Sequence, residues 1–151
     1  MDPDVRILVV CAGNTCRSPA AQAAIRSAAA RTGLSIEVSS AGTSAEHIGA
    51  PPTPAMVEAG RRRGLEISGK ASQVTHTQVE SVDLILAMDR QTELFLRTLT
   101  ATTPIELLSS YDASAPSAEI RDPYGGDDEA YADTLERIVT AAEALVASLS
   151  D

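Results

Sequence analysis

The residues Cys11-Ala12-Gly13-Asn14-Thr15-Cys16-Arg17-Ser18-Pro19 place a cysteine, a run of small and turn-tolerant residues, an arginine and a Ser-Pro pair between a β-branched run and an Ala-rich stretch. Between a strand end and a helix start, successive backbone N–H groups and the helix dipole can converge on one oxyanion. A cysteine held there sees the positive helix terminus and the Arg17 guanidinium, both of which favour the nucleophilic thiolate. The planar fork of Arg17 can hold two equatorial oxygens of a phosphoryl group while charge spreads over them. Ser18 can donate its hydroxyl to the sulfur and make it a better leaving group when a phosphocysteine is hydrolysed. Gly13 and Asn14 tolerate the left-handed backbone that a tight loop around an anion requires. A strand-end cysteine is commonly only a small buried hydrophobe. Here the strand before it, the Gly-Asn pair inside and the Ser-Pro opening of a helix favour phosphoryl chemistry at Cys11. The Gly-rich nucleotide loops G-x-x-x-x-G-K-[ST] and G-x-G-x-x-G are absent from the chain.

The elements that must hold this loop can be read from the hydrophobic pattern. Val5 to Val10 reads as a strand, and Ser18, as cap, with Pro19 at the first helical position, opens a helix that runs to Thr32. Leu34 to Ser40 is a second strand ending in Ala41-Gly42. A loop from Gly49 to Thr53 precedes a helix from Pro54 to Arg63 that Gly64 ends. An amphipathic turn around Thr75 to Val82 leads to Asp83-Leu-Ile-Leu-Ala-Met88, whose continuous apolar character suits a strand buried on both faces. Arg90 to Leu99 reads as a helix, Pro104 to Leu108 as a fourth strand, and Ser109 to Asp128 as a long polar loop, a length that is usually functional. The final helix, Glu129 to Leu149, carries Leu135, Ile138, Val139, Ala142, Leu145, Val146 and Leu149 on one face. Strand and helix alternate, so the fold class is α/β: a four-stranded parallel sheet with helices on both faces, its site beyond the carboxyl ends of the strands.

A length of 151 residues with 44% hydrophobic and 22% charged residues fits one folded domain spanning 1–151. The formal charge of −9 repels phosphate backbones and anionic headgroups, so nucleic-acid and membrane-surface partners are excluded as readings. No apolar run is long enough to cross a bilayer, and Asp2 and Asp4 stand where a signal peptide would be basic; a cytoplasmic location is expected. Two cysteines make no disulfide framework and leave a structural zinc site without ligands. Nothing in the pattern compels more than a monomer.

These motifs resemble the low-molecular-weight protein tyrosine phosphatases over nearly the whole chain: Cys11 to Pro19, Ser40-Ala41-Gly42-Thr43, His47-Ile48-Gly49, Leu84 to Asp89, and Asp122-Pro123-Tyr124. The resemblance implies a three-layer, flavodoxin-like sandwich of the phosphotyrosine protein phosphatase I type. It also implies phosphorylated protein substrates, no metal or other cofactor, and a double displacement. Cys11 attacks phosphorus while Arg17 and the amides of Ala12 to Ser18 bind the oxygens. Asp122 protonates the leaving group and then activates water. Ser40 corresponds to a supporting serine that hydrogen-bonds Asn14, and Cys16 to a redox partner that shields Cys11 as a reversible disulfide; a buried thiol is the simpler reading of Cys16. An Asp before Pro is often only turn chemistry, yet expelling a phenolate or guanidine needs a proton donor. His47 and His76 read as surface residues, Asp127 and Asp128 as the cap of the last helix, and Arg61-Arg62-Arg63 as a solvated helix end.

Three positions bear on the leaving group. Thr15 stands where tyrosine-specific members usually carry a larger aliphatic residue, and the G-N-T-C-R-S loop matches the family's bacterial protein arginine phosphatases. Glu46 replaces an aromatic that would stack on a phenol ring and could attract a guanidinium. Tyr124 lines the pocket mouth and is followed by Gly125-Gly126 rather than a second aromatic. Protein phosphoarginine is therefore the expected substrate, with phosphotyrosine as the alternative. An arsenate reductase would need further cysteines after Cys16, and a non-catalytic binding module would keep the anion cradle but lose the nucleophile or the acid, whereas this chain retains Cys11, Arg17 and Asp122 together.

Overall fold

The structure, a computed structural model, describes residues 2–150. The N-terminal β-branched run lies in the middle of a parallel sheet. Strand β1 (Val5–Cys11) pairs along its full length with β2 (Ile36–Gly42), so that Cys11 lies opposite Gly42. Its other edge pairs with β3 (Leu84–Ala87), which pairs with β4 (Ile105–Leu107). In the order β2-β1-β3-β4 the chain leaves β1 in one direction and later returns to the other side. The carboxyl end of β1 is thus the topological switch point, where open α/β sheets bind ligands.

Helices α1 (Arg17–Ala30), α2 (Pro54–Arg62), α3 (His76–Glu80), α4 (Arg90–Arg97) and α5 (Asp128–Leu149) complete the chain. Because side chains alternate along a strand, Ile7, Val9 and Cys11 enter one core with Ala20, Ala21 and Ile25 of α1, Met56 of α2, and Leu135 and Ile138 of α5. Leu8 and Val10 enter the opposite core with Val79 of α3 and Leu96 of α4. The result is the expected three-layer α/β arrangement. The alanines of α1 let it lie close to both β2 and α5. No helix among the described residues is long and apolar enough to cross a membrane.

Several boundaries differ from those read in the sequence, each for a local reason. The first helix starts at Arg17, not after a Ser18 cap, and Cys16 is its N-cap without any capping side-chain bond. Ser18 turns inward toward Cys11 instead. Pro19 falls at the third helical position, still within the first turn, where a missing N–H breaks no bond. That helix also ends at Ala30 rather than Thr32, and β2 begins at Ile36 rather than Leu34. The turn expected at 75–82 is the short helix α3, closed by a Thr75–Gln78 capping box. A 3₁₀ turn, Leu108–Tyr111, occupies the start of the long polar loop. Asp127 caps α5 by accepting from the Ala130 amide, as read, but the helix begins at Asp128. Arg61 and Arg62 pair with Glu58, and Arg63 reaches Glu136 on α5.

Candidate active site

The loop after β1 is shaped by bonds that draw its carbonyls outward. Cys11, Ala12 and Thr15 carbonyls accept from the amides of Thr43, Ser44 and Thr53 at 3.0, 3.0 and 2.7 Å. The amides of Gly13, Thr15, Cys16, Arg17 and Ser18 donate to no protein acceptor among the described residues, which leaves a ring of N–H groups beside the start of α1. Asn14 adopts φ 57°, the left-handed conformation anticipated there, whereas Gly13 does not. A side chain at Gly13 would instead crowd His47, whose Cδ2 lies 3.1 Å from where its Cβ would sit. Gly42 is a requirement that the sequence did not announce: a Cβ there would stand 2.7 Å from the Ala12 carbonyl oxygen.

Cys11, the last residue of β1, stands at the head of this loop. Its Sγ receives the Asn14 amide at 3.3 Å and lies 3.1 Å from Ser18 Oγ. Asn14 locks the arrangement, its Nδ2 donating to Ser18 Oγ at 2.8 Å and its Oδ1 accepting from the Ser72 amide at 2.9 Å. Ser40 does not take the expected part: among the described residues no hydrogen bond joins it to Asn14, whose side-chain oxygen and nitrogen are engaged by Ser72 and Ser18. Cys16 is buried and free. Burial first, then the nearby Asp122 and Cys11 charges, push its thiol up to about 12, with Arg17 opposing. At neutral pH Cys16 is a protonated thiol.

The Arg17 side chain is only 5% exposed. Its Nη1 donates to Asp89 Oδ2 and to the Ile120 carbonyl, both at 2.9 Å, and its Nη2 lies 3.9 Å from Asp122 Oδ2. Asp89 also caps α4 by accepting from the Thr92 amide at 2.8 Å. Burial raises the Asp89 carboxyl, but the Thr92 and Arg17 hydrogen bonds together outweigh it and hold the group below its ordinary value. Ile120 is buried, and its amide donates to the Met88 carbonyl at 2.9 Å. The preceding segment is fastened by Arg137 of α5, whose Nη1 and Nη2 donate to the carbonyls of Glu119 and Ser117 at 2.7 and 2.9 Å. Asp122 follows two residues later, half-exposed, its Oδ1 accepting from the Tyr124 amide at 3.0 Å. One oxygen of this aspartate closes a turn, as read, while the other faces Arg17.

Cys11, Arg17, Asp122, Thr15, Cys16, Glu46 and Tyr124 border one cavity of about 260 Å³. His47, exposed as read, also borders it; His76 is exposed at the start of α3 and does not border it. Tyr124 stands 79% exposed at the rim. Among the described residues no group of three or more His, Cys, Asp or Glu side chains forms a metal cage. The arrangement joins a thiol, an amide ring, a fixed guanidinium and an accessible carboxyl, the set needed to displace a leaving group from phosphorus and then hydrolyse the thiophosphate.

Residues 6–151 match the family model described as low molecular weight phosphotyrosine protein phosphatase. The chain is 36% identical to the low molecular weight protein-tyrosine-phosphatase YfkJ of Bacillus subtilis, with 96% of each chain covered. It is 34% identical to the protein-arginine-phosphatase of the same organism, over 87% of this chain and 88% of that one. A solved structure of the YwlE arginine phosphatase with a phosphorylated active-site serine superposes with a TM-score of 0.87 at 32% identity, covering 95% of each chain. With the loop geometry, the sheet order and these likenesses in agreement, the chain belongs to the low molecular weight phosphotyrosine protein phosphatase family and is an enzyme of that family.

Proposed function

We propose that the protein hydrolyses phosphoarginine in phosphorylated proteins through a phosphocysteine intermediate, the chain working as one monomeric catalytic domain without metal or other cofactor. The observation that carries the mechanism is the shared cavity that Cys11, Arg17 and Asp122 border, in which Cys11 Sγ receives the Asn14 amide and Arg17 is held by Asp89. Cys11 Sγ bonds to phosphorus as the P–N bond breaks, and the departing guanidine nitrogen takes a proton from Asp122. Water then attacks the phosphocysteine, giving its proton to Asp122, and the P–S bond breaks with Ser18 donating to the sulfur. Arg17 and the amides hold the equatorial oxygens through both steps. Cys16 serves as the partner that captures oxidised Cys11 as a disulfide. Ala12, Gly13, Asn14, Thr15, Cys16, Arg17 and Ser18 form the phosphate-binding loop. Ser40 keeps no proposed contact with Asn14.

Glu46 and Thr15 support phosphoarginine over phosphotyrosine. Glu46 places a carboxylate at the mouth, which would attract a guanidinium and cannot itself stack on a phenol ring. Thr15 is smaller than an aliphatic residue that would press on a ring. Tyr124 favours the second reading, phosphotyrosine, because its exposed ring at the same mouth offers a stacking face. Matched phosphoarginine and phosphotyrosine peptides, compared by phosphate release with wild type and Cys11→Ser, test this. A higher kcat/KM on phosphoarginine, with Thr15→Ile shifting the ratio toward phosphotyrosine, is expected. A preference for phosphotyrosine in wild type would overturn the substrate assignment and leave the mechanism standing.

A further inference from the structure

The loop that carries Asp122 has a second side. Asp122 and Tyr124 also border a separate cavity of about 490 Å³, walled by Arg121, Asp133, Thr134 and Arg137. A peptide whose phosphorylated side chain enters the Cys11 cavity must lay its neighbouring residues over this rim, and consecutive residues of an extended chain advance only about 3.5 Å each. The second cavity is therefore within reach of residues one or two positions away.

Its charge is unusual for this acidic protein. Most arginines elsewhere pair with carboxylates, as Arg31 does with Glu143 and Arg63 with Glu136, while Arg26 donates to the Val38 carbonyl. Among the described residues, neither Arg121 nor Arg137 has a carboxylate within 4.0 Å. Arg137 is fixed by the Glu119 and Ser117 carbonyls, and its Nε has no protein partner. The Arg121 carbonyl accepts from Thr134 Oγ1 at 3.4 Å, which anchors its backbone on α5 while the side chain lines the cavity. Asp122 is answered by Arg17 from the other side, so the wall sets two positive charges against the one of Asp133. A local positive site on a protein of net charge −9 acts at short range, since the surrounding field repels distant anions.

We propose that this cavity is a substrate subsite for a carboxylate side chain lying one or two residues from the phosphorylated one, with Arg121 as its principal contact and Arg137 as a fixed second charge. The inference deepens the phosphatase reading and rests on it. The test uses phosphopeptides that differ only in Glu, Gln or Lys at the two positions on either side of the phosphoresidue. Their kcat/KM is divided by the same enzyme's value on the isolated phosphoamino acid. Wild type should favour Glu over Gln by about two- to fivefold, with Lys below Gln and the preference fading as salt is raised. Arg121→Gln should bring the Glu/Gln ratio to about one, and Arg121→Lys should retain part of it. Equal turnover of the Glu and Gln peptides by wild type, or a Glu preference that survives Arg121→Gln, would overturn the subsite alone. Absence of Cys11-dependent turnover of every peptide would overturn the phosphatase reading and the subsite with it.

Discussion

Arg17 and Asp89 lie 72 positions apart in sequence, yet Arg17 Nη1 meets Asp89 Oδ2 at 2.9 Å in a pocket that leaves the arginine side chain 5% exposed. The contact fixes one edge of the guanidinium fork and leaves the other free to face phosphoryl oxygens. Asp89→Asn should therefore lower kcat by about tenfold to a hundredfold through loss of orientation, with a smaller change in KM. The asparagine can still cap α4, so the thermal midpoint should fall only a little. Asp89 also makes stability depend on pH. Its folded carboxyl lies below the ordinary value, so its contribution is present above about pH 4 and is lost as pH falls through the folded value. Acid unfolding curves of wild type and Asp89→Asn should converge below that range. Unchanged kcat in the variant would remove Asp89 from the positioning of Arg17.

Asp122 is half-exposed and borders the cavity that contains Cys11, a placement suited to giving a proton to a departing group and taking one from water. Asp122→Ala should cost about 10²- to 10⁴-fold on substrates with poor leaving groups and progressively less as the leaving group improves. Since Asp122 Oδ1 also accepts from the Tyr124 amide, Asp122→Asn is the necessary companion, keeping that turn while removing the acid. A uniform loss across a leaving-group series in both variants would contradict the proton-transfer role.

The parts of the site carried by adjacent residues were legible in the sequence itself; of those assembled across the fold, Glu46, Asp122 and Tyr124 were reached only through the family resemblance, and others not at all. Strand β3 announced itself because burial on both faces demands an unbroken apolar run. The Cys11 loop did so because an anion cradle needs Gly, a left-handed Asn and a helix start in close succession. The start of α1 was misplaced for a physical reason: Ser18 looks like a cap, but its hydroxyl serves Cys11 and Asn14, while the uncapped amides face the cavity. Gly42 and Arg137 gave no local signal. The need for glycine at 42 arises only when the Ala12 carbonyl of the neighbouring strand's loop packs onto it, and Arg137 reads as one more charged position on an amphipathic helix.

Cys11 and Cys16 differ in chemistry despite sharing one loop. Burial and the neighbouring negative charges raise the Cys16 thiol to about 12, so it is neutral at pH 7. Iodoacetamide at pH 7 should modify Cys11 in the native enzyme and leave Cys16 intact, with inorganic phosphate slowing the reaction; peptide mass mapping reads the result. The raised Cys16 value also favours the folded state below the unfolded thiol value near 9, and this contribution is lost as pH climbs toward 12. Cys16→Ala should therefore show a weaker loss of stability over that alkaline range than wild type. Equal labelling of both cysteines in folded protein would contradict the assigned environments.

Arg137 holds the Asp122 loop from its far side. Its two bonds to the Ser117 and Glu119 carbonyls hold the segment just before Ile120, whose carbonyl receives Arg17, and Asp122 follows two residues later. Removing the guanidinium leaves two carbonyls without their charged donor and lets that segment shift, so Arg137→Ala should lose about 1–3 kcal/mol of stability. Its effect on catalysis should be separable from that loss. At a temperature where the variant is fully folded, kcat should fall about tenfold and the dependence on leaving group should steepen, because both Arg17 and Asp122 lose their shared support. Arg137→Lys can make at most part of the forked contact and should recover part of kcat. A purely structural role for Arg137 predicts a lower thermal midpoint with the leaving-group dependence unchanged, and that result would confine Arg137 to the stability of α5.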